Sequence, residues 1–459
     1  MRKNNFRSIT LSIFVIFSIF SLFSIPSLNI CCRRVQNVSV VVNWDRFSPL
    51  IRDYQSEERT FNDNFISPLE PLPEENILRY EELLGDTRQA QQLIENGKFG
   101  IIYLAGGAGT RLGLKPGQTK ATHAKVGEHV PIEVLCRDIQ RNGGKIPVFI
   151  STSANTDTTI AEHLEANNYY GLDSNIFFRF MDESSGIRFV ARPEDVEAAL
   201  KPQIGDKITQ EEYEAALEFA KQYGGKTLLE LYREGVIADI RQAYCGTGND
   251  VLASFIINGG LKKAIEEGVE ALMIRNDANF GATIDPRIIQ AFLESGKDVM
   301  VEVTPKKDPK EVGGVAALVN GNPAIVEVPQ IPEEVDQEEY SVFNTNTIYI
   351  KVDAILKMFG FESREEFLQV ANDPEELRER VWQKVAEFPN IMVIRARNIE
   401  GQTIPVLEFQ NILGPDLSKA ELDIGFIRVP RKQRYLNVKK KEDLTKLAPD
   451  VEEVVSSLK

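Results

Sequence analysis

The residue types best suited to chemistry lie together in Phe99–Gly113, FGIIYLAGGAGTRLG. Ile101, Ile102, Tyr103, Leu104 and Ala105 have the character of a buried strand, which breaks abruptly into Gly106, Gly107, Ala108, Gly109, Thr110, Arg111, Leu112 and Gly113. An apolar run stopped by glycines reads as the first strand of an α/β sheet opening into a loop. Glycines remove Cβ atoms and admit positive φ, so backbone N–H groups can approach an anion closely. Arg111 adds a fixed cation there, and Lys115, Lys120 and Lys125 follow in a polar, irregular stretch. A phosphate-bearing ligand is the chemistry this pattern serves. The same residues also fit a bare strand-to-helix turn. Gly107, Gly109 and Gly113 loosely fit a dinucleotide fingerprint, which wants an acidic residue about 20 positions on at the end of a second strand. Glu133 has that spacing but sits in the amphipathic, helix-like run Pro131–Arg141.

Further polar groups follow strand-like runs. Val269–Arg275 delivers Asn276, Asp277 and Ala278 to its end. Ala324–Val328 is followed by Gln330, and Val342–Ile350 carries Asn344 and Asn346, which share a face at period two. Ile146–Ser151 and Ile176–Phe180 read as strands separated by a short helix at 160–167. Such alternation predicts a mixed, mostly parallel α/β sheet with helices on both faces. Gly313–Val319 and Ala324–Val328 pair as a hairpin around Asn320-Gly321-Asn322. Residues 35–96 read as a helical lead-in, with a helical pattern from Glu74 to Asn96 closed by Gly97. Residues 194–242 are charged and helical in pattern, a solvated insertion or a lid. Residues 97–440 form the main domain, and 441–459 a short tail.

At 459 residues the chain can bury substantial cores. Its net charge of −15 excludes an electrostatic footprint for nucleic acid. It also means that an anionic ligand needs locally concentrated cations or a divalent metal. Three histidines are too few for a His-based metal cage. The four cysteines, Cys31, Cys32, Cys136 and Cys245, form no disulfide framework and suit a reducing, cytoplasmic setting. Residues 1–34 differ from the rest: Arg2, Lys3 and Arg7 precede an apolar run from Ile9 to Ile30. This reads as a signal peptide or a membrane anchor, with a mis-assigned start as the alternative.

Five segments, in order, resemble the UTP–glucose-1-phosphate uridylyltransferases of eukaryotic type, besides LAGGAGTRLG, which looks like the signature loop of sugar-nucleotide pyrophosphorylases. They are NDANFGATID (276–285), VEVTPKKDPKEVGG (301–314), VEVPQIP (326–332), VFNTN (342–346) and VPRKQRYLNVK (429–439). Any one alone is weak, and their shared order makes the resemblance specific. It implies a nucleotidyltransferase-type, Rossmann-like fold and formation of UDP-glucose and pyrophosphate from UTP and glucose 1-phosphate with Mg²⁺. Residue by residue, it implies that Leu104, Ala105, Gly106, Gly107, Gly109, Thr110, Gly246 and Gly248 bind the nucleotide. Arg111, Lys120 and Lys439 would hold and neutralise phosphates, and Asp277 would ligate the metal. Asn276, Gly314, Glu327, Asn344 and Asn346 would recognise the sugar phosphate.

The chain also departs from the family pattern. Ala278 stands where the family has aspartate, and Asp277 is one residue early, so metal ligation by Asp277 in a strand would need a bulge. The family's Gly-His-Gly-Asp appears as Gly246-Thr247-Gly248-Asn249-Asp250, without histidine. Gly109-Thr110-Arg111 is more similar to the UDP-N-acetylhexosamine branch. Formation of UDP-N-acetylglucosamine or another UDP-sugar, and a catalytically inactive nucleotide- or partner-binding relative, are the alternatives.

Overall fold

The glycine loop is carried by a strand buried along its length, in a computed structural model that describes residues 41–458 except 43, 84, 108, 116, 182, 183, 247–249, 309, 310 and 312. The apolar run 9–30 and Gly248 lie outside the described residues. Among those described, no helix is long and apolar enough to cross a membrane. In chain order the strands are β1 (Val41–Val42), β2 (Leu69–Pro71), β3 (Ile77–Arg79), β4 (Phe99–Leu104), β5 (Val148–Thr152) and β6 (Phe177–Met181). Then come β7 (Ser184–Val190), β8 (Tyr244–Gly246), β9 (Ala271–Asn276), β10 (Val299–Pro305) and β11 (Val315–Val319). The series ends with β12 (Asn322–Val326), β13 (Val342–Lys351), β14 (Ile391–Ile399), β15 (Gln402–Gln410) and β16 (Ile424–Arg428).

The main sheet runs β3-β16-β10-β13-β9-β4-β5-β6. Every neighbouring pair is parallel except at β13, which is antiparallel to both β10 and β9. β13 therefore brings its N-terminal end to the edge where the parallel strands have their C-terminal ends. The hairpin β11–β12 attaches through Val315 and Phe343.

Strand alternation divides the core into two layers. Ile102, Leu272 and Ile274 face one, with the helices Val251–Ile257 and Val352–Met358. Ile101, Tyr103 and Met273 face the other, with the helices Arg88–Glu95, Pro131–Arg141 and Pro286–Ser295. Both faces are covered, as strands this uniformly apolar require.

A second sheet runs β1-β7-β15-β14, with β8 on β7. The helices Pro193–Leu200 and Gln210–Tyr223 lie over its Phe189 and Leu407, together with Trp44–Gln55. Leu228–Arg233 covers Val190 and Val406 on the opposite face. Thr209 with Glu212, and Thr227 with Glu230, form capping boxes that fix where two of these helices begin. The 194–242 stretch is thus helical, and its apolar side is built into the second sheet.

Two stretches differ from their sequence reading. The 35–96 lead-in is not helical throughout, because β2 and β3 join the hairpin β11–β12 and β16 respectively, leaving α-helix over Trp44–Gln55 and Arg88–Glu95. Extended edges of three residues are too short to show a period. Residues 441–459 are not a loose tail. The helix Ala448–Ser457 buries Val451 and Val455 against Leu112 of the glycine loop, Phe280, Leu436 and Val438. Val451→Asp puts a carboxylate into that layer and should cost about 3 kcal/mol or more. The loss should be read as a lower urea midpoint at unchanged m. A midpoint equal to wild type would mean the helix does not dock there.

Candidate active site

β4 ends at Leu104, and Ala105 is still held, its N–H donating to the Ser151 carbonyl at 2.9 Å. Gly106 and Gly107 follow, both exposed. A Cβ on Gly106 would come no nearer than 3.7 Å to any atom, and one on Gly107 would meet Lys120 at 3.8 Å. Neither has positive φ, so protein sterics do not demand glycine at either position. What their missing side chains leave is open approach to two backbone amides from solvent. Gly109 is different: its φ is +67°, and a Cβ there would lie 2.6 Å from Leu114. Arg111 is exposed on the short turn Thr110–Leu112.

Lys120 begins the short helix Lys120–His123, capped by Thr119, and its N–H donates to the Gly107 carbonyl at 3.3 Å. Its Nζ lies 2.8 Å from Asp277 Oδ1. Asp277 follows β9, with its N–H on the Leu104 carbonyl at 3.2 Å. The strand has ended by then: the Ala278 N–H turns back to Asn276 Oδ1 at 3.1 Å. A turn therefore aims Asp277 at Lys120, where the strand reading required a bulge. Asp277 is 2% exposed, and its Oδ2 has no partner among the described residues. Burial raises its pKa, opposed by the Lys120 charge and hydrogen bond.

The polar groups of the later segments gather at the same sheet edge. Asn344 Nδ2 donates to Asn346 Oδ1 at 2.9 Å, and the Asn346 N–H to Asn344 Oδ1 at 2.8 Å. Asn346 has φ +59° beside an irregularity in the β10–β13 register. The β13–β9 ladder ends at the pair Ile348 and Ile274, and Asn276 is the last residue of β9. The Asn344 N–H donates to the Gly314 carbonyl at 2.8 Å. A Cβ on Gly314 would stand 2.7 Å from Glu327 Oε1, so glycine there makes room for the carboxylate. Burial raises the pKa of Glu327, and the charge of Lys439 opposes the rise. Gly314, Glu327, Asn344 and Asn346 are therefore assembled, with Lys439 close enough to be felt, while Asn276 ends the neighbouring strand β9.

The segment 434–438 runs alongside 278–280. The Val438 N–H donates to the Ala278 carbonyl at 2.9 Å, and the Phe280 N–H to the Leu436 carbonyl at 3.1 Å. Lys439 itself is exposed, with its N–H on Asp443 Oδ2 at 2.8 Å. Sequence reasoning missed the groups that hold this segment. Arg434 is buried, bonding Glu302 on β10 through Nη2 and Nε, and the Thr283 carbonyl through Nη1 at 2.7 Å. It also missed Arg275 and Asp138, buried with the strand residue Tyr103. Arg275 Nη2 donates to the Asn279 carbonyl at 3.3 Å, and Asp138 Oδ2 accepts the Ile284 N–H at 2.7 Å. Burial lowers the pKa of Arg275 and raises those of Asp138 and Tyr103. Charged residues inside apolar strands, as in VMVEVT and ALMIRN, were the available signal. Gly246 ends β8 opposite Ser185, on the second sheet rather than the sheet that carries the glycine loop.

The sequence model of the family described as UTP–glucose-1-phosphate uridylyltransferase matches residues 44–184 and 233–454. A UTP–glucose-1-phosphate uridylyltransferase of Hordeum vulgare is 27% identical over 207 residues, which are 44% of this chain and 38% of the relative. UTP–glucose-1-phosphate uridylyltransferase 2 of Dictyostelium discoideum is 23% identical over 339 residues, 72% of this chain and 55% of the relative. The chain thus spans under two thirds of the length of either. Among solved structures, the uridine diphosphate N-acetylglucosamine pyrophosphorylase of Trypanosoma brucei superposes with a TM-score of 0.59 at 16% identity, over 90% of this chain and 76% of that one. A UDP-glucose pyrophosphorylase mutant of Leishmania major in complex with UDP-glucose gives 0.57 at 18% identity, over 87% and 74%. These likenesses concern the fold.

The Lys120–Asp277 pair makes a stability prediction. Lys120→Met strands a buried carboxylate and should cost about 3 kcal/mol near neutral pH. Adding Asp277→Asn should recover most of that loss. Because burial raises the folded-state pKa, folding favours the protonated form. The deficit should then be small below the unfolded value of about 3.9 and grow as pH rises through the folded value. Additive losses in the double variant, by denaturant titration at both pH values, would mean the two groups are not coupled.

Proposed function

The chain belongs to the UTP–glucose-1-phosphate uridylyltransferase family, and from that premise we propose that it makes UDP-glucose and pyrophosphate from UTP and glucose 1-phosphate. A phosphate oxygen of the sugar phosphate attacks the α-phosphorus of UTP, and pyrophosphate leaves. Little acid–base chemistry is needed, so positioning and charge neutralisation carry the rate. The observation that carries this reading is the Lys120 ammonium, 2.8 Å from Asp277 beneath two glycines that the protein's own packing does not require.

In this reading Leu104, Ala105, Gly106, Gly107, Gly109 and Thr110 line the nucleotide site, and the amides of the glycine loop, with Arg111 and Lys120, hold the triphosphate. Lys439 neutralises the sugar phosphate. Asn276, Gly314, Glu327, Asn344 and Asn346 orient the sugar. The nucleotide role of Gly246 and Gly248 rests on the resemblance alone. The described residues contain no group of three or more His, Cys, Asp or Glu able to hold a metal. A magnesium ion can, however, be held by one carboxylate together with substrate phosphates. The unpartnered, buried Oδ2 of Asp277 suits that role. Bound there, Mg²⁺ would offset the repulsion between the two phosphate-bearing substrates. A cytoplasmic setting suits the buried thiols of Cys136 and Cys245. The sugar could instead be N-acetylglucosamine, a reading favoured by Gly109-Thr110-Arg111.

The test is pyrophosphate release by the full chain with UTP, Mg²⁺ and a panel of sugar 1-phosphates that includes both. Glucose 1-phosphate should give the highest kcat/KM, and EDTA should abolish turnover. Arg111→Ala and Lys120→Ala, assayed as folded protein, should each lower kcat about tenfold or more. Glu327→Ala and Asn344→Ala should raise KM for the sugar phosphate more than for UTP. Preference for N-acetylglucosamine 1-phosphate would move the assignment to the second sugar. UTP binding unaffected by EDTA, with no release from any sugar, would make the chain an inactive relative.

A further inference from the structure

The second sheet carries a concentration of positive charge that the reaction above does not use. Glu408 on β15 is buried, and three guanidinium groups converge on its carboxylate. Arg188 Nε of β7 lies at 2.8 Å, Arg395 Nη1 of β14 at 3.0 Å and Arg397 Nη2 of β14 at 2.9 Å. Gln410 Nε2 donates to the same carboxylate at 2.8 Å, and Arg188 Nη1 donates to the Gln242 carbonyl at 3.2 Å. Strand register explains the gathering: Glu408 faces Arg188 directly, while Arg395 and Arg397 are two residues apart on the neighbouring strand and share its face.

A structural role accounts for one of the three arginines. Glu408 is 3% exposed and Arg188 14%, so this pair is a buried ion pair in its own right. Arg395 and Arg397 are 46% and 36% exposed, and their guanidinium groups leave the cluster with a surplus of two positive charges. The chain as a whole has a net charge of −15, so the surplus is not a by-product of composition. Like charges held this close repel unless a second anion joins them. Arg397 shows the strain electrostatically: burial lowers its pKa, and Arg188 and Arg395 lower it further against the pull of Glu408. Its Nε is buried with no partner among the described residues, a donor left over after Glu408 is satisfied.

We propose that Arg188, Arg395 and Arg397 form a binding site for a phosphate group, with Glu408 as the base that holds their guanidinium planes in place. Arginine forks match phosphate oxygens two at a time, and the two outer arginines are open to a ligand arriving from solvent. The phosphate has two chemical sources. It is either the phosphate of the sugar 1-phosphate or a separate phosphate compound bound away from the reaction. β14 packs against the 328–330 turn that directly follows Glu327, so the cluster's strand reaches the sugar side of the molecule.

Inorganic phosphate, titrated into the full chain by calorimetry against sodium chloride of equal ionic strength, tests the site. Arg395→Gln/Arg397→Gln should weaken phosphate binding about tenfold or more, since each substitution removes a charged hydrogen-bond donor from the site. Lys120→Met/Asp277→Asn, which alters the glycine-loop site, should leave a phosphate-binding event intact. If the arginine variant does not fold, Arg395→Gln alone carries the same readout with a smaller loss, because that side chain is the most exposed of the three. No phosphate binding by the wild type, or binding lost in the glycine-loop variant and kept in the arginine variant, overturns the proposal. Where the chain turns over, KM for the sugar 1-phosphate raised in the arginine variant at unchanged KM for UTP assigns the site to the substrate's phosphate. Both KM values unchanged, with phosphate binding lost, assign it to a separate compound. A chain with no turnover removes the proposed reaction, while the phosphate titration still decides this site.

Discussion

The buried contact between Arg434 and Glu302 is what the arrangement of the site depends on. Glu302 belongs to β10 and Arg434 to a short helix after β16, so the pair ties the C-terminal segment to the middle of the main sheet. Tyr349 of β13 donates to Glu302 Oε1 at 2.8 Å, bringing that strand, antiparallel to both of its neighbours β9 and β10, into the same junction. A buried ion pair of this kind is poor evidence for stability, since desolvation offsets most of the attraction. Its effect is positional. With its side chain fixed, Arg434 offers its carbonyl to Asn279 Nδ2 at 2.9 Å, and Asn279 Oδ1 accepts the Leu436 N–H at 2.9 Å. The turn after β9 is thereby zipped to the segment leading to Lys439. Asp277 and Lys439, 162 residues apart in sequence, are each one residue from the Val438–Ala278 hydrogen bond.

An acidic chain that binds phosphates must keep its cations available without leaving buried anions uncompensated. At the glycine loop the two needs meet in one contact. Lys120 neutralises Asp277, while its own side chain keeps an opening of 18% to solvent beneath Gly107. A phosphate arriving there competes for an ammonium group already committed to a carboxylate. A divalent cation on the free oxygen of Asp277 would relieve that competition by taking over the neutralisation. In the proposed reaction one buried carboxylate would then serve both the lysine and the metal. Glu327 and Lys439 repeat the arrangement more loosely at the proposed sugar site, with an exposed lysine opposing the burial of a carboxylate.

Much of this was legible in sequence because it is local. β4 and its glycines announce themselves by an apolar run and a sudden stop, and the helices of 194–242 by their charge and helical pattern. The polar groups at 276–277 and 327–346 were visible as breaks after apolar runs. The reversal of β13 was not, since an apolar strand reads the same in either direction and its neighbours are set by long-range register. The edge strands Leu69–Pro71 and Ile77–Arg79 are too short for periodicity to register. The final helix was hidden by its charged face, with Val451 and Val455 its two fully buried residues. Glu302, Arg275 and Glu408 were legible as charges in apolar strands, but a single sequence does not say which distant cation each one meets.

The pair Asp277-Ala278, where the family pattern has its aspartate at the second position, shows how local geometry decides what a substitution means. In a continuing strand, moving the acid from position 278 to 277 would swing it to the opposite face. The strand has stopped at Asn276, whose side chain accepts the Ala278 N–H and sets a tight turn in place of the pleat. Within a turn the two-residue period no longer governs direction. Asp277 is then directed at Lys120, while Ala278 is 4% exposed, with its carbonyl bound by the Val438 N–H. A carboxylate at 278 would sit beside the zipped C-terminal segment, where Phe280, Leu436 and Val438 form an apolar layer. The turn that accepts the small residue at 278 is also the turn that aims Asp277 at Lys120.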